Sequence, residues 1–310
     1  MIFYLPLQYV SVSDRTTALH TACEHLLAEQ TRLSATADSI SHNLCYYTQV
    51  DAITQKLSSP AFTVTTHSFM PLLNDIDKCI LFMKSHQNSK EAAVYLARYM
   101  HCLSRAHGLM RSYIYKSLET ATKNVLPKPG ETTPTSDNAT VLYYSKFRTN
   151  APRIKSLITE IERRLLEAST NNTDSKNDRG SVAASNEIPP VDDGNSFLLA
   201  YQHLLQDCHH CYFQQRQLLL CPSVTDAVRQ LVAQYSHDHC SLVRSGCSFL
   251  VHVCEDEHNL FEQFFSCHTS LLDEFLERLC NTLYDNLRPL IIHIDHLETL
   301  SELCTILQRG

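Results

Sequence analysis

The sequence predicts an all-α protein, elongated and built as helical-rod bundles with an N-terminal coiled coil. Three observations lead there. Only six glycines and no tryptophan occur in 310 residues, which argues against a design resting on tight turns and close backbone approach. No segment alternates apolar and polar residues long enough to demand a strand. Apolar residues instead recur at three- and four-residue steps between proline and polar breaks.

The first rod spans 14–57, which holds neither proline nor glycine. Leu19, Cys23, Leu26, Gln30, Leu33, Ala37, Ile40, Leu44 and Tyr47 step by four and three without a break, and only Gln30 is polar. A 3.5-residue period keeps one stripe in line with a partner helix along the whole length, which is the coiled-coil pattern. At 1.5 Å per residue the rod would be ~65 Å long. Two readings of the stripe stay open: an amphipathic helix packed on its own domain, or a seam that meets another chain.

Pro60 ends the rod. A second helix is expected over 68–86, with Phe69, Leu72, Leu73, Ile76, Cys79, Ile80 and Met83 on one face. A third covers 91–125, with Val94, Leu103, Ala106, Met110, Tyr113 and Ile114 inward, and closes at Pro127 and Pro129. A fourth begins near Asp137, breaks or kinks at Pro152, and continues through Ile154, Leu157, Ile158, Ile161 and Leu165. Residues 169–195 are rich in polar and turn-forming types, the composition of a disordered linker or insertion. Helices resume over 196–220, 222–235 with Pro222 at a helix start, 238–266, 270–287 and 289–308. The expected organisation is an unassigned segment 1–13, the rod 14–57, a helical bundle 58–168, the insert 169–195 and a helical domain 196–310.

Composition narrows the function classes. Net charge is −7, with 26 basic against 33 acidic residues, and no dense basic run could lie along a phosphate backbone, so nucleic acid is not an expected partner. The thirteen cysteines are odd in number and none falls between Cys102 and Cys208, a poor disulfide framework and a better fit to the cytosol. No apolar run approaches the ~18 residues of a membrane span. The opening MIFYLPLQYV has neither a basic start nor a cleavage site, so no signal peptide is expected. The sequons at Asn138 and Asn171 are short enough to arise by chance.

Cysteine and histidine crowd at Asp207 to Cys211 (DCHHC) and again at His237 to Cys240 (HDHC), followed by Cys247, His252, Cys254 and His258. Cys240, Cys247 and Cys254 are expected on one buried face with Val243, Leu250, Phe261 and Phe264 or Phe265, where a free cysteine acts as a small hydrophobe. Cysteines seven apart on a helix sit ~10 Å from each other and cannot ligate one ion together. Cys208 with Cys211, and Cys254 with His258, do have pairwise ligand spacing, so a two-helix zinc site is the alternative reading. Cys240 and Arg244 are too close in sequence for a phosphatase loop, and DCHHC has the wrong order for the Asp-His-His-Cys acyltransferases. GxSxG, HExxH, P-loop and GxGxxG motifs do not occur, so neither catalytic residues nor a cofactor is expected, and the chain does not read as an enzyme.

The strings YQHLLQDCHHCYFQQRQLLL, DHCSLVRSGCSFLVHVCEDEHNLFEQFF and LYDNLRPLIIHIDHLETLSELCTIL resemble the subunit 3 family of the conserved oligomeric Golgi complex. HTACEHLLAEQTRL, KLSSPAFTV and FMPLLNDIDKCILFM resemble the N-terminal region of the same family. The likeness covers 14–168 and 196–310, leaving out the first dozen residues and the polar insert; family members are longer, so the chain is expected to be a fragment. The resemblance implies a peripheral membrane protein on the cytosolic face of the cis-Golgi, a scaffold of a multisubunit tether in intra-Golgi retrograde vesicle transport before SNARE-mediated fusion. Implied partners are other subunits of the complex through coiled-coil helices, with SNAREs, Rab GTPases and golgins beyond them. The implied assembly seam falls on Leu19, Cys23, Leu26, Leu33, Ala37, Ile40, Leu44 and Tyr47. A generic coiled-coil adaptor is the remaining alternative.

Overall fold

A computed structural model describes residues 4–126, 136–174 and 196–309, with side chains for 9–126, 142–167 and 197–308. Among the described residues there are eight α-helices and no strand: α1 (Tyr4–Ser58), α2 (Phe69–Ser85), α3 (Ala92–Lys123), α4 (Ser136–Asp174), α5 (Ser196–Gln234), α6 (His239–Glu262), α7 (Ser270–Ile291) and α8 (Leu297–Arg309). The all-α expectation holds. Of the polar stretch 169–195, residues 169–174 continue α4 and 175–195 lie outside the described residues. The chain divides into two compact units, Met1–Arg105 and Ala106–Gly310, and the division falls within α3.

In the first unit, α2 buries Phe69, Leu72, Leu73, Ile76, Cys79, Ile80 and Met83, the residues its spacing selects. Val50, Ile53 and Leu57 of α1 and Ala92, Tyr99, Cys102 and Leu103 of α3 are buried with them in the same unit. Val94, expected inward, is 61% exposed, because α3 turns the line of Ala92 and Tyr99 to the core. Polar groups tie the helices together at specific heights. Tyr99 Oη donates to the Tyr46 carbonyl at 2.6 Å, and the Cys79 thiol donates to Gln49 Oε1 at 3.7 Å. The Tyr46 and Phe82 rings stack at 3.9 Å.

The second unit is organised around α5. Arg164 lies 5.7 Å from the Tyr201 ring, Phe147 lies 6.4 Å from Tyr212, and Arg216 lies 5.0 Å from Tyr144. Rising numbers on α4 meet falling numbers on α5, so the two helices run antiparallel. Aromatic rings fill the space beyond. Phe213 stacks on Phe261 at 5.6 Å, Phe261 on Phe265 at 4.7 Å, and Tyr212 approaches Phe264 at 5.2 Å. Gly246 lets α6 and α7 close: a Cβ there would stand 2.8 Å from Leu283 Cδ1. α4 also clamps the connection from α6 to α7. Lys155 Nζ donates to the Glu262 carbonyl at 2.7 Å, satisfying a helix-terminal acceptor, and Glu162 Oε1 accepts from the Ser266 and Cys267 amides at 3.1 and 3.3 Å.

Two boundaries differ from expectation, each through a proline. Pro152, Pro222 and Pro289 all lie inside helices α4, α5 and α7, so the breaks predicted at 221 and 288 do not occur, and the last helix starts only at Leu297. A helical proline deprives the carbonyl four residues earlier of its donor. Those carbonyls belong to Arg148, Leu218 and Asp285, each of them exposed. At exposed positions solvent is available to take the place of the lost donor, and the helices continue.

At the centre of this unit sits a charge pair that periodicity does not reveal. Arg216 and Glu257 are 0% and 1% exposed, and Arg216 Nε donates to Glu257 Oε2 at 3.0 Å. The guanidinium also lies 4.7 Å from the Phe147 ring. Burial opposes the Arg216 charge, but Glu257 beside it holds the guanidinium firmly protonated. Removing one partner strands the other charge in an apolar core. Glu257→Gln or Arg216→Met should therefore destabilise by about 3–5 kcal/mol in urea titration, and joint replacement by apolar residues should recover much of that.

Two buried histidines set an acid limit. His107 packs edge-on to Tyr201 at 4.5 Å and His209 lies 4.5 Å from Phe265. Burial, aided by Arg164 near His107 and His210 near His209, pushes each pKa down to about 4. Above the ordinary histidine value both states are neutral and nothing is lost; as pH falls from 6.5 toward 4 only the unfolded chain gains the protons. Stability should drop by about 1.4 kcal/mol per pH unit for each histidine through that window. Denaturation midpoints measured from pH 7 to 4 should show this slope, and His209→Phe should reduce it.

Candidate functional site

Along α1, packing stops where the core stops. Residues 9–45 are exposed apart from half-buried Glu29, whose carboxylate pairs with Arg32. Leu19, Leu26, Leu33, Ile40 and Leu44 are each more than half exposed, and Cys23 and Ala37 are exposed with them. Tyr47 is half-buried and marks the transition. The stripe also begins earlier than its sequence boundary. Tyr9, Val12 and Thr16 precede Leu19 at the same three- and four-residue steps, and Tyr9 and Val12 are 77% and 63% exposed. Residues 1–13, left unassigned on sequence, thus contribute to α1 from Tyr4 onward.

Positions flanking the stripe carry little charge. On one side stand His20, Leu27, Ser34, Ser41 and Thr48, and on the other Ala22, Glu29, Thr36 and Asn43. Charges at such positions ordinarily choose partner and orientation in a coiled coil. The seven open seam residues, at no more than roughly 100 Å² each, would give at most ~700 Å², near the share per partner of a standard stable interface.

At its C-terminal end the same line is already occupied. Continuing the spacing past Tyr47 gives Asp51 and Thr54. The Tyr47 ring meets Tyr95 edge-on at 5.1 Å, Asp51 pairs with Arg98, and Thr54 Oγ1 lies 3.3 Å from Cys102 Sγ. Tyr95, Arg98 and Cys102 are themselves spaced by three and four along α3. α3 thus meets the continuation of the seam through these three side-chain contacts. The sequence reading missed this because Asp51 and Thr54 are polar; the unbroken spacing was the available signal.

The cysteine and histidine motifs resolve into ordinary structural duties. In DCHHC, Asp207 pairs with Arg111 at 3.0 Å, His209 enters the aromatic core, and Cys208 and Cys211 are buried. Burial pushes the Cys208 thiol up to about 12 and the Cys211 thiol up to about 11. In HDHC, Asp238 caps α6 by accepting from the Ser241 amide at 3.0 Å. Cys240, Cys247 and Cys254 are only half-buried, flanking rather than sharing the core face of Leu242, Val243, Gly246, Leu250, Val253 and Glu257. The face is rotated because it includes the carboxylate of Glu257, which a count of apolar residues omits. The alternative zinc set is not assembled: His258 is exposed beside Glu262, Cys254 interacts with Cys280, and no group of three or more potential ligands converges among the described residues.

Comparison with known proteins bears on the whole chain. The family model described as conserved oligomeric Golgi complex subunit 3, N-terminal, matches residues 4–120, and the corresponding C-terminal model matches residues 140–310. The first match starts inside the stretch where no resemblance was expected. The chain is 45% identical to the conserved oligomeric Golgi complex subunit 3 of Mus musculus over 301 residues, which is 97% of this chain and 33% of the relative. For the Homo sapiens protein of that name the identity is 44% over 301 residues, with the same 97% and 33% coverage. For the Saccharomyces cerevisiae one it is 26% over 310 residues, covering 96% of this chain and 36% of the relative. The chain spans about a third of the length of these curated relatives. No solved structure matches it, and among the described residues no helix is long and apolar enough to cross a membrane. With one model reaching from residue 4 and the other to residue 310, the chain belongs to the conserved oligomeric Golgi complex subunit 3 family.

Proposed function

We propose that this chain is a non-catalytic scaffold portion of a multisubunit Golgi tether, and that α1 is where it joins the other subunits. The observation that carries the reading is the line Leu19, Leu26, Leu33, Ile40 and Leu44, more than half exposed along one helix. A helix gains most of its stability from packing its apolar face. This one offers five heptads without a partner, and family membership supplies the class of partner: helices of fellow subunits. In that setting the chain works at the cytosolic face of cis-Golgi membranes as a peripheral component. It holds an assembly that captures recycling vesicles in retrograde transport before SNARE-mediated fusion, and SNAREs, Rab GTPases and golgins are its further partners.

Replacing Leu26 and Leu33 together by glutamate tests the reading. The pair lies far from the buried residues of α1, so thermal unfolding of the chain alone should be unchanged. Two charges placed in an apolar seam should abolish recovery of the fellow subunits in co-expression and affinity purification. Normal assembly of the double variant would remove the seam from the account.

A further inference from the structure

The line on which α3 rests is the line that α1 leaves open above Tyr47. From this continuity we infer that the partner helix lies in line with α3, one helix following the other along α1, and that its near end abuts the start of α3. The inference rests on the proposed function above and adds the place and register of the partner.

Three observations carry it. First, side chains of α3 already touch the continuation of the seam. Tyr47, Asp51 and Thr54 receive Tyr95, Arg98 and Cys102, with spacings of three and four residues on both sides. A second helix using Leu44, Ile40, Ala37 and Leu33 would extend the same line of contacts toward the start of α1. Second, the place where the two would meet is open. A cleft of 440 Å³ is lined by Leu44, Tyr47 and Thr48 of α1, by Ser89, Lys90 and Glu91 ahead of α3, and by Tyr95. The cleft combines the last open seam residues with the first turn of α3, which is the space that the end of an in-line helix would enter. Third, the track is nearly neutral. Lys90 and Glu91 stand side by side, Asp51 is matched by Arg98, and the flanks of the open seam are mostly Ser, Thr, Ala, Leu and Asn.

The occupant is therefore an amphipathic helix of a fellow subunit, with apolar residues at three- and four-residue spacing and uncharged flanks. The area the open seam offers, at most ~700 Å², is near what a standard stable interface needs from each partner. A helix lying across α1 at a steep angle would cover only a few seam residues and leave the rest exposed. A helix in line with α3 covers them all.

Site-specific photo-crosslinking in the co-expressed complex tests this. A photoreactive side chain placed at Leu33, Leu44 or Lys90, one per variant, should capture the same subunit, and peptide mapping should place the Leu44 and Lys90 products within one turn of each other. Ser89→Trp, at an exposed position that fills the cleft, should weaken recovery of that subunit at least tenfold while leaving the thermal midpoint of the chain unchanged. If position 33 captures a subunit while position 90 is silent or captures another protein, the in-line placement is wrong and the seam stands. A second copy of this chain captured at all three positions would replace the fellow subunit as occupant and overturn the inference. Should the Leu26 and Leu33 double glutamate variant assemble normally, the seam itself falls, and this inference with it.

Discussion

A helix can bury an apolar line only where another surface meets it, and that constraint shapes α1 more than any single contact. Between Tyr46 and Leu57 the helix is held by α2 and α3 through Val50, Ile53, Leu57 and the hydrogen bond from Tyr99 to the Tyr46 carbonyl. Before Cys45 it has the same spacing of apolar residues and nothing to place on them. Hydrophobic burial at roughly 25 cal/mol per Å² is the dominant favourable term in association as well as folding. An uncovered line of this length is the surface on which the proposed assembly rests. The family to which the chain belongs is named for a complex, and the geometry of α1 fits a component whose work is to be joined.

The second unit shows a different regime, with a core closed by its own helices. Antiparallel α4 and α5, the aromatic cluster around Tyr212 and Phe261, and the Arg216–Glu257 pair place the most expensive groups at the most enclosed positions. A buried ion pair is weak evidence for stability, since apolar residues of similar volume often do as well. Its stronger effect is on uniqueness: Arg216 has one acceptor and two rings around it, so α4, α5 and α6 pack in one register. The clamp of Lys155 and Glu162 adds a polar lock at the connection from α6 to α7.

Much of this was legible in the sequence where chemistry and burial agree. The α2 face was readable to the residue because all of its buried members are apolar. The seam was readable because a long strict period is hard to produce by accident. Reading failed where polar residues occupy apolar places. Glu257 sits between Val253 and Leu260 on the inner face of α6, and counting it as surface shifted the face toward the cysteines. Arg216 between Tyr212 and Leu219 hid the other half of the pair, although a lone arginine at that spacing was the available clue. Prolines misled for a different reason: whether one ends a helix depends on whether its orphaned carbonyl can reach water, and exposure is a property of the fold rather than of the dipeptide.

The antiparallel pairing of α4 with α5 has one further consequence. Contacts such as Arg164 with Tyr201 and Phe147 with Tyr212 fix the two helices on either side of residues 175–195, so the fold is specified without help from that stretch. Closing a longer loop costs only about 0.6 kcal/mol for each doubling of its length. A change in the number of codons between α4 and α5 is therefore expected to leave these helix–helix contacts in place.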